Sequence, residues 1–222
     1  MKNRKKFLNS IFGISAFFVL LFSIFFALLF CKPFYSIEYD LHRSEISFSN
    51  LSKVEYVHYS MEIVDYFFNS DYYITMRDLN GNVIPGYFTD EEERHMIDVK
   101  HLIRGAALIF AFSVFLFVLL FPFVERRKVL RTVSFVSLAF IGILFLLSVW
   151  NFNAVFIAFH KTFFRNNFWL LPENTKLIEM FPEGFFYDFA KVWFISFAAV
   201  NGIIYLTTTF YNYFFRSDLS NS

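Results

Sequence analysis

Four long stretches of the chain carry no charged residue: Phe7–Cys31, Gly105–Val124, Thr132–Phe159 and Val192–Phe215, of 25, 20, 28 and 24 residues. A helix needs about 20 apolar residues to cross the roughly 30 Å hydrocarbon core of a bilayer, and each stretch reaches that length. A soluble chain of 222 residues could not hide four such segments and still cover itself with polar surface. The sequence therefore predicts a mainly α, polytopic membrane protein with four transmembrane helices. Trp150-Asn151-Phe152-Asn153 interrupts the third stretch and suits the membrane interface, so its spanning part is placed at 132–150.

Composition agrees. Charged residues make up 18% of the chain, below the ~25% of average globular proteins, and 37 residues are Phe. Acidic and basic residues nearly cancel, 19 against 20, so bulk charge draws no nucleic acid. The single cysteine, Cys31, excludes an intramolecular disulfide framework and a Cys-cluster metal site. It reads as a buried apolar filler at the end of span one. A cleaved signal peptide has a hydrophobic region of about 7–15 residues before a small-residue cleavage site. The first stretch is longer and lacks that site, so it reads as an uncleaved anchor.

Short flanking segments set the expected orientation. Lys2, Arg4, Lys5 and Lys6 precede span one, Arg126, Arg127, Lys128 and Arg131 lie between spans two and three, and Arg216 follows span four. Basic residues in short flanks mark the cytoplasmic side. Both termini and the turn are expected in the cytoplasm, with 32–104 and 151–191 outside. The expected order is thus 1–31 basic tail and first span, 32–104 outer segment, 105–124 second span, 125–131 turn, 132–150 third span, 151–191 second outer segment, 192–215 fourth span and 216–222 tail.

Within the first outer segment, Leu51, Val54, Val57, Met61, Val64, Phe67 and Phe68 recur at helical spacing, and Ser52 with Glu55 offers a capping box. An amphipathic helix is expected there, lying on protein or lipid headgroups. Tyr72–Asp78 and Asn82–Phe88 flank Asn80-Gly81, a hairpin-turn dipeptide, although Pro85 and Gly86 confine the second strand to an edge. Helix and hairpin together predict a small extracytoplasmic α+β cap. Thr89 and Glu92 then cap a helix expected to run unbroken into span two, with the acids 91–93 on a solvated face. Pro172 and Pro182 break the second outer segment into short pieces.

Chemistry has few places to live. No Gly-rich phosphate loop, dinucleotide fingerprint, nucleophile elbow or zincin pair of histidines occurs. No cofactor and no metal are expected. His42, His58 and His101 read as surface residues. His95 stands nine residues before Arg104, about 13 Å along a helix from the second span, and His160 stands ten after Trp150, about 15 Å if its helix continues. Spans two and three are antiparallel neighbours through their short turn. The two imidazoles could then meet, with Asp98 one turn from His95 to orient a ring. Tyr59 and Trp169 are supporting aromatic residues whose ordinary use is packing. At this point a membrane enzyme and a non-enzymatic membrane scaffold or sensor both remain open.

Three ordered blocks carry a resemblance. His95-Met96-Ile97-Asp98-Val99-Lys100-His101-Leu102, Phe159-His160-Lys161-Thr162-Phe163-Phe164-Arg165-Asn166-Asn167-Phe168-Trp169, and Leu177-Ile178-Glu179-Met180-Phe181-Pro182-Glu183-Gly184-Phe185-Phe186 are similar to blocks of the lipoprotein intramolecular transacylase (Lit) family. Lys161 and Leu171-Pro172-Glu173 depart from the family's pattern. The resemblance implies an acyltransferase of the bacterial cell membrane, acting on lipoproteins with a diacylglyceryl-modified N-terminal cysteine. The sn-2 acyl chain would move to the α-amino group of that cysteine, leaving a lyso-form lipoprotein. His95 and His160 would be catalytic and Asp98, Tyr59 and Trp169 supporting. The implied partners are such lipoproteins and membrane lipids, not nucleic acid, with the site at the extracytoplasmic face.

Overall fold

The computed structural model describes residues 2–46 and 50–220, with the backbone alone for Glu45 and residues 211–220. Met1, residues 47–49 and residues 221–222, parts of the expected tails and first outer segment, lie outside them. The described residues fold into helices α1 (Lys2–Leu29), α2 (Lys32–Leu41), α3 (Arg43–Ile46), α4 (Lys53–Phe68), α5 (Asp90–Leu120), α6 (Arg126–Trp150), α7 (Phe152–Phe163), α8 (Lys176–Met180) and α9 (Glu183–Ser220). A 3-10 turn, Phe121–Phe123, follows α5. Four of these, α1, α5 with its 3-10 turn, α6 and α9, contain segments long and apolar enough to cross a membrane. In the most apolar window of each, no more than 28% of residues are buried within the protein, so most of these side chains face outward, as lipid allows and water does not.

The chain forms two compact units. The first comprises Met1–Phe25, Ala107–Leu147 and Lys191–Ser222. Its core is aromatic: Phe12 is fully buried and stacks on Phe117 at 4.9 Å. Phe17 meets Phe140 and Phe197 edge-on. Gly13 lets α1 lie against α6, since a Cβ there would sit 3.0 Å from a Val133 methyl. Small buried polar residues, Ser15, Ser113, Ser134 and Ser137, keep other approaches close, a common device in helix packing within lipid. Trp193 Nε1 donates to the Leu21 carbonyl at 3.1 Å. Lys5 pairs with Glu125 at 2.8 Å, and the Glu125 N–H donates to Asn9.

The second unit comprises Phe26–Ala106 and Ser148–Ala190 and holds the histidines. Helix α4 begins at the capping box of Ser52 and Glu55. Its buried face is carried by Tyr56, Tyr59, Ile63, Val64, Tyr66 and Phe67, whereas Val54 is exposed. The tyrosines win that face because their rings fill the core while a hydroxyl such as that of Tyr66 reaches the Tyr72 carbonyl. Lys100 and Arg104 of α5 bind the end of α4. Lys100 Nζ donates to Asn69 Oδ1 and the Asp71 carbonyl and lies 3.8 Å from the Tyr66 ring centroid. Arg104 donates to the carbonyls of Phe67 and Asn69. Cations at a helix C-terminus meet its unsatisfied carbonyls and negative dipole end.

Three expectations need correction. No strand forms among the described residues; the hairpin is reduced to one antiparallel bridge, Arg77 with Val83. The turn itself is present, and Gly81 takes φ 84°. The Asp78 carboxylate gathers the N–H groups of Asn80 and Asn82, and Pro85 follows at once, so no ladder extends. The acid run is not all solvated: Glu92 is fully buried. Its Oε2 accepts from the Thr89 N–H at 2.8 Å, closing the α5 cap, and its Oε1 accepts from the Leu177 N–H at 2.7 Å in α8. His42 is not a free surface residue. Its Nε2 lies 3.1 Å from Asp188 and 3.5 Å from Glu38, and its ring occupies the space where a Gly184 side chain would begin.

Candidate active site

His95 lies in the charged opening of α5, ahead of Gly105, and His160 in the last turn of α7. The third span does not run on into α7. Helix α6 ends at Trp150, and Asn151 starts a new helix by accepting the Ala154 N–H at 3.0 Å. The two imidazoles meet, 6.1 Å apart between centroids and tilted by 31°.

His160 is 8% exposed. Its Nδ1 lies 2.7 Å from the Phe156 carbonyl oxygen. A carbonyl only accepts, so Nδ1 carries the proton and the lone pair of the neutral ring sits on Nε2. Phe156 packs on this ring at 4.1 Å and Trp169 at 4.9 Å with a 33° tilt. Phe164 touches both imidazoles, at 5.4 Å from His95 and 5.5 Å from His160. Nδ1 of His95 is buried without a hydrogen-bond partner. Burial pushes the His95 pKa down to about 4, helped by the neighbouring His160 and opposed by Asp98. Burial also lowers that of His160, against the pull of the Phe156 bond. Both rings are therefore neutral at pH 7, the form that accepts a proton.

Asp98 does not bond to either ring. Its Oδ2 accepts from Asn166 Nδ2 at 2.7 Å. Tyr59 packs against His58 and Tyr87. Trp169 does reach His160. Trp169 and Phe164, which both touch the His160 ring, line a cavity of about 370 Å³ together with Ile157, Lys161, Arg165 and Asn166 among others, and neither histidine is in its lining. Asn166 was missed by sequence reasoning, since a lone Asn in a loop carries no spacing signal. Glu38, His42 and Asp188 were missed as a group because 146 residues separate His42 from Asp188. They bring ligand-capable atoms within 4.8 Å of one another.

Four helices long and apolar enough to span a bilayer define an integral membrane protein, in which two imidazoles from distant parts of the chain lie side by side. The model of the lipoprotein intramolecular transacylase Lit family matches residues 10–186, and the chain belongs to that family, whose members are acyltransferases. The fold is similar to the membrane-integral lipoprotein intramolecular transacylase Lit from Bacillus cereus, at 19% identity and a TM-score of 0.79, over 99% of this chain and 100% of that one. A form of the same Bacillus cereus protein with a histidine-to-arginine substitution aligns at 18% identity and a TM-score of 0.73, over 100% and 96%. No curated protein matches the chain.

Proposed function

We propose that His95 and His160 are the catalytic residues with which this transacylase moves the sn-2 acyl chain of a diacylglyceryl-cysteine to the α-amino group of the same cysteine. The observation that carries this reading is the 6.1 Å pairing of two neutral imidazoles, His160 buried and His95 half-buried with its Nδ1 out of solvent. Donor ester and acceptor amine belong to one molecule, so the substrate itself supplies the proximity that an enzyme would otherwise impose. Exchange of an ester for an amide runs downhill without ATP. Proton management remains, because an α-amino group with a pKa of about 8 is largely charged at pH 7 and cannot attack.

The amine nitrogen, once neutral, attacks the ester carbonyl carbon. The C–N bond forms, one imidazole takes the surplus proton from nitrogen, and the C–O bond to the glycerol breaks. The pair returns that proton to the departing glyceryl oxygen. The products are an N-acyl cysteine and a lyso-glyceryl group, with atoms and charge balanced. No acyl-enzyme is required. The Phe-rich helix surfaces accommodate membrane lipids and the substrate's acyl chains.

The basic flanks Lys2–Lys6 and Arg126–Arg131 support cytoplasmic termini and an extracytoplasmic site. Residues 32–104, which would lie outside, carry 13 acidic and 7 basic residues, in line with that assignment. Coexpression with a bacterial lipoprotein, followed by mass spectrometry of its N-terminal peptide, tests the function. An N-acylated lyso form is expected. Unchanged diacylglyceryl-cysteine would return the chain to the scaffold or sensor reading.

A further inference from the structure

We propose that Asp98 and Asn166 form a latch that seats Trp169 against the ring of His160, making all three positioning residues for acyl transfer. The inference rests on His160 handling a proton, as proposed above. Asn166 uses both ends of its amide. Nδ2 donates to Asp98 Oδ2 at 2.7 Å on α5, and Oδ1 accepts from the Phe168 N–H at 3.1 Å in the loop after α7. The first bond is charge-assisted and so among the stronger kinds. One turn earlier on α5, the Arg94 guanidinium lies 5.2 Å from the Phe168 ring centroid. A single stretch of α5, 94–98, thus carries His95 and two attachments of the loop that contains Trp169.

That loop needs attachment. His160 stands in the last helical turn of α7, closed by the Phe164 N–H donating to the His160 carbonyl at 2.8 Å. Helix ends fray. Phe156 holds one part of the ring from within α7, and Trp169 holds it from the loop. A displacement of about 1 Å at a reacting group costs on the order of a hundredfold in rate. An indole face also favours a cation over a neutral ring, which suits a histidine that is neutral at rest and charged in mid-reaction. The ionisable side chain in ring contact with His160 is His95 on α5, and Asp98, three residues further along that helix, is fixed to the loop by a hydrogen bond.

Reciprocal substitution tests the latch in the full chain, reconstituted in lipid with a diacylglyceryl lipoprotein. Asn166→Asp sets two carboxylates against each other. It should lower kcat by about tenfold to a hundredfold with KM changed less than about twofold. Asp98→Asn with Asn166→Asp restores the hydrogen bond with donor and acceptor exchanged, and should recover activity to within about threefold of the parent. Asp98→Asn alone should be mild, because its amide oxygen still accepts from Asn166. Asp98→Ala should not be mild. Failure of the double variant to recover, or full activity of Asn166→Asp, would overturn the latch. So would an Asp98→Asn loss as deep as that of Asp98→Ala, which means that the carboxylate charge acts directly. If Asn166→Asp does not insert, the Asp98→Asn and Asp98→Ala pair still decides. Activity surviving in His160→Gln would instead strike the proposed function itself, whatever the latch variants do.

Discussion

The Nδ1–H of His160 donates to the carbonyl oxygen of Phe156, one helical turn back, at 2.7 Å. The bond fixes a tautomer with backbone alone and needs no carboxylate partner. It leaves Nε2 as the basic atom of a ring otherwise walled by aromatic carbon. Exchange of this histidine for a side chain without a titratable nitrogen should remove the proposed base while leaving the helix able to form.

His95→Ala and His160→Ala should each abolish acyl transfer while the protein still inserts. Mass spectrometry of the lipoprotein N-terminus, with immunodetection of the membrane fraction, reads both. Full activity in either variant would refute the pair.

Acid should silence the enzyme later than an ordinary histidine would. A free imidazole gains its proton near 6.5, whereas burial holds His95 down to about 4 and lowers His160 as well. The enzyme's own acid limb is therefore displaced below 6.5, beneath the separate limb near 8 set by the substrate amine. Stability follows by linkage. Between about 4 and 6.5 the unfolded chain binds the proton that folded His95 refuses. The contribution of His95 is complete above 6.5 and is lost as pH falls through that window. Thermal unfolding in detergent at stepped pH should show it, and His95→Phe should flatten the slope. An unchanged slope in that variant would count against the buried neutral ring.

Glu92→Ala should destabilise the second unit. It leaves the N–H groups of Thr89 and Leu177 without their present acceptor; exposed Thr89 can turn to water, whereas the buried Leu177 donor so orphaned costs about 1–3 kcal/mol. Glu92→Gln retains one acceptor oxygen and should lose less. Midpoints of thermal unfolding rank the three proteins, and equal midpoints would show that the carboxylate holds nothing.

Cys31→Ala should leave turnover nearly unchanged. Cys31 is a half-exposed free thiol preceding α2, where it makes no side-chain cap. A collapse of activity would point to an acyl-cysteine and away from direct transfer between substrate atoms.

The spans were readable because lipid imposes a one-dimensional demand, a run of residues without charge, and that demand is met by neighbours in sequence. Helix rise converts residue number into height, which put His95 and His160 within reach of each other on the condition that a helix carried on past Trp150. Asn151 instead starts a new helix, and the two rings pair all the same. The uses of Asp98, Glu92 and His42 were not readable. Their partners Asn166, Leu177 and Asp188 lie 68, 85 and 146 residues away, and only tertiary packing brings them near. Tyr59 illustrates the converse, since a tyrosine at a plausible position turned to Tyr87 and His58 for ordinary packing. The hairpin failed for want of a third strand, a shortage that a local turn signal cannot register.

Glu92 also bears on how firmly the segment around α8 is held. The five residues of α8 are too few to stay helical alone, and the Leu177 N–H in its first turn hangs from that one carboxylate. Amide hydrogens between Asn167 and Pro182 should therefore trade for deuterium ahead of those in α4, and a protease admitted from that side would make its earliest nick in the same stretch.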